Sequence, residues 1–169
     1  MTALVRLPSI AIDTNLFLVL LRYFSFEFEK SSLAERERIL RAELGGRHPV
    51  SLEQFEALWR LFERSPRRIV TQHVVAEAFS SKMRKRFDWT RVIELLPRYA
   101  VEERGCRVAD LYALDDFRGI LEDLGPTDAG LIYTAREEKA TILSEDGQLR
   151  SWAHARSVET LTLNQLDHL

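Results

Sequence analysis

Short strand-like runs separated by long stretches of helical spacing narrow the fold of this chain more than any other feature. "SIAID" (9–13), "RRIVT" (67–71), "ATILS" (140–144) and "VETLT" (158–162) are brief and rich in β-branched residues. Between them lie "TNLFLVLLRYF", "LAERERILRAEL", "SLEQFEALWRLFERS", residues 72–87 and 90–99, "VADLYALDDFRGILEDLG", "DAGLIYTAREEK" and residues 148–155, all of helical periodicity. Strands joined through helices pair in parallel, and a parallel sheet must be covered on both faces. The expected fold is therefore α/β, a three-layer α/β/α arrangement around a short parallel sheet. Residues 26–65 form a helical elaboration between the first two strands.

Local signals set the joints. Thr14 is placed to cap the first helix, and Ser51 with Gln54 makes a capping box. Gly45 and Gly46 stop one helix and Gly125 another, while Pro126 and Thr127 open the next. Asp146-Gly147 reads as a turn. The 169 residues fit a single domain, 1–169.

Cys106 is the only cysteine, which excludes an internal disulfide or a thiolate metal cage and points to a reducing, cytoplasmic setting. No signal-peptide pattern opens the chain, and the apolar run at 16–21 is far shorter than the ~20 residues of a membrane span. The formal net charge of −2 hides an asymmetry. Residues 1–90 carry 15 basic and 11 acidic side chains, and residues 91–169 carry 9 and 15. Any basic footprint for nucleic acid must be local.

Four acids fall where ligands bind in parallel sheets, beyond the carboxyl ends of strands. Asp13 ends the first strand, Glu77 lies early in the helix after "RRIVT", Asp128 is in a first helical turn, and Asp146 follows "ATILS". Each has an ordinary explanation: Asp13 in a helix-entry turn, Asp128 at a helix N-terminus, Asp146 before glycine, Glu77 as a solvated charge. Their coincidence asks for more. "IAID" and "VVAEAF" set Asp13 and Glu77 among apolar residues. Clustered carboxylates repel unless cations neutralise them, and oxygen donors suit hard divalent ions.

These segments resemble the PIN-domain family of metal-dependent nucleases. "IAIDTNLFL" looks like its first motif, an aliphatic strand ending in Asp-Ser/Thr-Asn. "VVAEAF" resembles the second, and "TDAGLIYTAREEKATILSED" is similar to the third and fourth. The resemblance implies that Asp13, Glu77, Asp128 and Asp146 form a catalytic pocket for Mg²⁺ or Mn²⁺. It implies that Asn15, Ser144 and Thr14 support them, Ser144 standing where the family often has Thr. The implied activity is phosphodiester hydrolysis, with RNA favoured over DNA, and a toxin-type ribonuclease with an antitoxin partner falls within the family's range. Gln148 and Leu149 depart from the pattern, since the family often has an acid and then Phe there. That departure favours the alternative, a catalytically weak PIN-like module that binds nucleic acid or protein. A processing or repair nuclease is a third reading.

"SSKMRKRFDW" places Lys82, Arg84, Lys85 and Arg86 shortly after Glu77, with Phe87 and Trp89 beside them. The cations could track a phosphate backbone or simply solvate a helix end; the aromatics read as core. Arg67 and Arg68 precede a strand and could contribute to the same face, or belong to a solvated loop. His48, His73, His154 and His168 lack zinc spacing, and only His73 lies near the acids. Cys106 has no sequence partner for catalysis. Apolar stripes in 26–65 serve the core or a homodimer face. No Gly-rich phosphate loop with Lys-Ser/Thr occurs, and Asp13-Thr14-Asn15 lacks the Asp-x-Asp of a haloacid-dehalogenase-type phosphatase and the paired acids of a receiver domain.

Overall fold

Ser9–Ile12 forms strand β1 with all four residues buried, and the chain passes through Asp13 directly into helix α1, Thr14–Ser25. The computed structural model describes residues 7–25, 50–80 and 101–166, together with 32, 34, 35, 38 and 90. Helix α2, Leu52–Arg64, begins at the expected capping box: Ser51 accepts from the N–H of Gln54, whose side chain accepts from the N–H of Ser51. Strand β2, Arg67–Thr71, leads into helix α3, Gln72–Ala78. Strand β3, Val101–Arg104, is followed by α4, Val108–Tyr112, α5, Asp115–Asp123, and α6, Pro126–Glu138. Strand β4, Thr141–Leu143, helix α7, Gly147–His154, strand β5, Thr160–Leu161, and helix α8, Leu163–Leu166, complete the order.

The sheet runs β3-β2-β1-β4-β5, and every pairing is parallel. Alternation along the strands builds two cores. Ile10, Ile12, Val70 and Leu143 face one layer, where they meet Phe17 and Leu20 of α1 and Phe55, Leu58 and Phe62 of α2. Ala11, Ile69 and Ile142 face the other, against Phe117 and Ile120 of α5, Ile132 of α6 and Leu149 of α7. Buried faces on both sides make the three-layer α/β/α architecture that the strand and helix alternation predicts. Helix α2 belongs to the first core rather than lying outside it.

Several local expectations change. The strand β3, "VEER", is unexpected: three of its four residues are charged, so no apolar alternation marks it, and it lies at the sheet edge. The helix expected across "VADLYALDDFRGILEDLG" is two helices, because Leu114 takes an extended conformation (φ −98°, ψ 111°) ahead of Asp115 and Asp116. Acids in a first turn favour such a restart. The helix expected at 72–87 ends at Ala78, where the N–H of Ser80 bonds back to the carbonyl of Glu77. Residues 81–89 lie outside the described residues, and so do 91–100; of the helix expected over 33–44, residues 34, 35 and 38 are described and helical. Gly125 fits its joint, with φ 87° ahead of Pro126, a conformation nearly restricted to glycine.

Arg67 and Arg68 are not a solvated loop. Arg67 pairs with Glu138 at 2.8 Å, and Arg68 donates to the carbonyls of Phe62 and Glu63. They pair with Ser9 and Ile10, at the end of the sheet away from Asp13. Among the described residues no helix is long and apolar enough to cross a membrane.

Candidate active site

The strand order creates a switch point. From β1 the chain moves outward through β2 to β3, then returns to lay β4 on the other side of β1. The crevice outside the carboxyl ends of strands at such a reversal is where open α/β sheets bind ligands. Asp13 sits at this seam, its N–H bonded to the carbonyl of Leu143 at 3.1 Å.

Asp13 is buried, at 4 % exposure. The hydroxyl of Ser144, itself fully buried at the end of β4, donates to Asp13 Oδ2 at 2.7 Å. Desolvation raises the Asp13 pKa above the usual carboxylate range. The Ser144 hydroxyl and the N–H groups of Thr14 and Asn15 pull it back, and the charge of Asp146 pushes it up. The carbonyl of Asp13 accepts the first helical bond, from Phe17 at 2.8 Å. Asp13 therefore occupies the capping position assigned to Thr14 on sequence grounds. The Thr14 hydroxyl is left free to donate elsewhere, and it bonds Glu77 Oε2 at 2.8 Å, joining α1 to α3.

Glu77 is exposed, contrary to the apolar surround its neighbours suggest. Val74 and Ala78 turn into the core on one side of α3, which leaves Glu77 on the outer side with Thr14 holding one oxygen. Asp146 is also exposed and caps α7, its Oδ1 accepting from the N–H groups of Gln148 at 2.7 Å and Leu149 at 3.1 Å. The N–H of Asp146 donates to Ser144 Oγ at 3.0 Å, so one hydroxyl ties Asp13 and Asp146 together. Asn15 is exposed and contributes its backbone N–H to Asp13.

Asp128, half-buried in the first turn of α6, feels all the others. Burial and then the charges of Asp13, Asp146 and Glu77 raise its pKa to about 7. Like charges act on one another this way only at short range. The charges of Asp13, Asp146 and Glu77, drawn from three other segments, thus all reach Asp128. The linkage has a definite sign. Asp128 holds its proton more tightly folded than unfolded, so its stabilising contribution is fully present below about pH 3.8 and is lost as pH rises through about 7.

No three His, Cys, Asp or Glu side chains stand together as a ready metal cluster among the described residues. Lys82, Arg84, Lys85 and Arg86, the basic run of the sequence, lie outside the described residues, as do Phe87, Trp89, His48 and His168. Cys106 is buried and its thiol pKa is raised by desolvation, which suits an unreactive side chain. His73 bonds to the carbonyl of Cys106, a contact that sequence spacing does not reveal. A cavity of about 340 Å³ lined by Arg136, Lys139, Thr141, Ser157 and Glu159 lies at the start of β4, at the opposite end of the strand from Ser144.

No family model matches the chain, and no curated protein matches it. Among solved structures it is similar to a PilT N-terminus domain protein from the hyperthermophilic archaeon Sulfolobus solfataricus P2. The two share 16 % identity at a TM-score of 0.40, over 69 % of this chain and 83 % of the other.

Proposed function

We propose that this chain is a PIN-like, metal-dependent nuclease that hydrolyses phosphodiester bonds, RNA before DNA. The observation that carries the reading is the burden on Asp128, whose pKa is raised to about 7 by burial and by the charges of Asp13, Asp146 and Glu77. A half-buried carboxylate that feels three like charges is unfavourable for the protein alone and favourable for a site that takes up positive charge. The donor set fits a hard divalent ion: all four are carboxylates. Thr14 bonds Glu77 through Oε2, and the cap of α7 uses Oδ1 of Asp146. The other oxygen of each carboxylate is the donor a cation would take.

Asp13, Glu77, Asp128 and Asp146 would hold Mg²⁺ or Mn²⁺, which when bound supplies Lewis acidity toward water and phosphate oxygens. The protein's own part is positioning. Ser144 fixes Asp13 and the backbone at Asp146, and Thr14 fixes Glu77. Attack of water on phosphorus, with departure of the 3′-oxygen, leaves a 5′-phosphate and a 3′-hydroxyl.

A second reading, a binding module without catalysis, is favoured by Gln148 in place of an acid and by the use of Asp146 as a helix cap. Cleavage of end-labelled RNA and DNA panels in Mg²⁺, in Mn²⁺ and in chelator separates the two. The nuclease gives metal-dependent fragments ending in 5′-phosphate. Retention of labelled RNA without cleavage in either metal decides for the binding module.

A further inference from the structure

Helix α3 is seated against two glycines. A methyl group at Gly105 would fall 2.7 Å from Nε2 of Gln72, and one at Gly130 would fall 3.1 Å from Cδ2 and 3.9 Å from Nε2 of His73. The first two side chains of α3 therefore occupy space that a Cβ would claim. Gly130 lies inside α6, where glycine is a costlier residue than alanine. Its backbone does not need the left-handed region, so the close approach of His73 is what calls for glycine there. The imidazole is also held by a hydrogen bond: Nε2 lies 3.2 Å from the carbonyl of Cys106, an acceptor, so that nitrogen carries the proton.

The same two helices carry half of the acidic pocket. His73 and Glu77 are four residues apart, on one face of α3, and Asp128 is two residues before Gly130 on α6. We propose that His73 is a positioning residue for the pocket. Seated in the notch at Gly130 and bonded to the Cys106 carbonyl, it sets the separation of the helices bearing Glu77 and Asp128, and with it the pocket's affinity for a divalent cation. His73 acts here through the seating of α3 and not as a ligand. The proposal rests on the metal-binding reading above.

A double-mutant cycle in the full chain tests it, with Mn²⁺ affinity measured by calorimetry well below the melting temperature. Gly130→Ala should weaken Mn²⁺ binding about tenfold in the otherwise native chain, the scale of other supporting contacts around metal ligands. In a His73→Ala background the same change should matter by less than about twofold, because the new methyl meets nothing. His73→Gln, which keeps an N–H donor in reach of the carbonyl, should stay within about threefold of the native chain. Equal losses from Gly130→Ala in both backgrounds, or no loss in the native one, would overturn the proposal.

Metal-free melting supplies the control. Gly130→Ala should lower Tm in the native background and raise it beside His73→Ala, where only helix propensity acts. If that reversal appears but the native chain binds no Mn²⁺, the metal reading and the positioning role fall together, and only a packing contact is left. If the native chain binds Mn²⁺, Asp128→Asn does not, and the cycle is additive, the positioning role alone fails.

Discussion

Asp128→Asn is expected to lower metal-dependent cleavage about 10²-fold or more, since it removes a charged donor while preserving side-chain size. RNA binding measured in Ca²⁺ should stay close to that of the native chain, because no basic side chain is changed. The metal-free protein should behave in the opposite sense. Removing the most burdened carboxylate relieves repulsion from Asp13, Asp146 and Glu77, so the variant should melt higher than the native chain at pH 8. Between about pH 4 and 7 the native chain should lose stability as pH rises, and the variant should lose less, because the slope belongs to the raised pKa of Asp128. Thermal melts across that range with chelator present check the sign. A variant that cleaves RNA robustly would remove Asp128 from the catalytic set.

Ser144 carries the second large effect, on stability. Its hydroxyl donates to buried Asp13 and accepts the N–H of Asp146, so Ser144→Ala strips partners from two groups at once. Leaving a buried carboxylate short of a donor costs about 2–3 kcal/mol. Asp13 should then titrate still higher, which makes the loss larger at pH 8 than at pH 4, since the charged form is the one deprived. Ser144→Thr retains the hydroxyl and should recover most of the stability, provided its added methyl finds room. Urea denaturation at the two pH values measures both changes. Equal stability of the native chain and Ser144→Ala would show that the hydroxyl bridge contributes nothing.

The features legible in the sequence are those whose cause is local. Ile10 and Ile12 alternate with Ala11 inside four buried residues, and Ser51 with Gln54 satisfies helix N–H groups three residues away. The positions of Asp13 and Asp146 just after strands and of Asp128 in a first helical turn follow from the same short-range patterns. Features set by tertiary contact are hidden from it. "VEER" becomes a strand because β2 offers it an edge, not because its side chains alternate. The break at Leu114 falls inside a periodic pattern that continues on both sides, so spacing alone does not find it. Thr14 has the chemistry of a cap, yet Asp13 takes the capping position and the hydroxyl turns to Glu77, 63 residues away. The glycine at 130 has a sequence signal, being an unforced glycine inside a helix. Its partner His73 is visible only once the two helices are packed.

Titration of Mn²⁺ into the metal-free native chain and into Asp13→Asn, followed by calorimetry, tests the central claim most directly. Asp13 lies at the seam of β1 and β4, where the buried Ser144 hydroxyl donates to its carboxylate. The native chain should bind Mn²⁺ saturably, and Asp13→Asn should bind it at least about tenfold more weakly while remaining folded. Superimposable isotherms for the two proteins, or no saturable binding to the native chain, would contradict a divalent-metal site at these carboxylates.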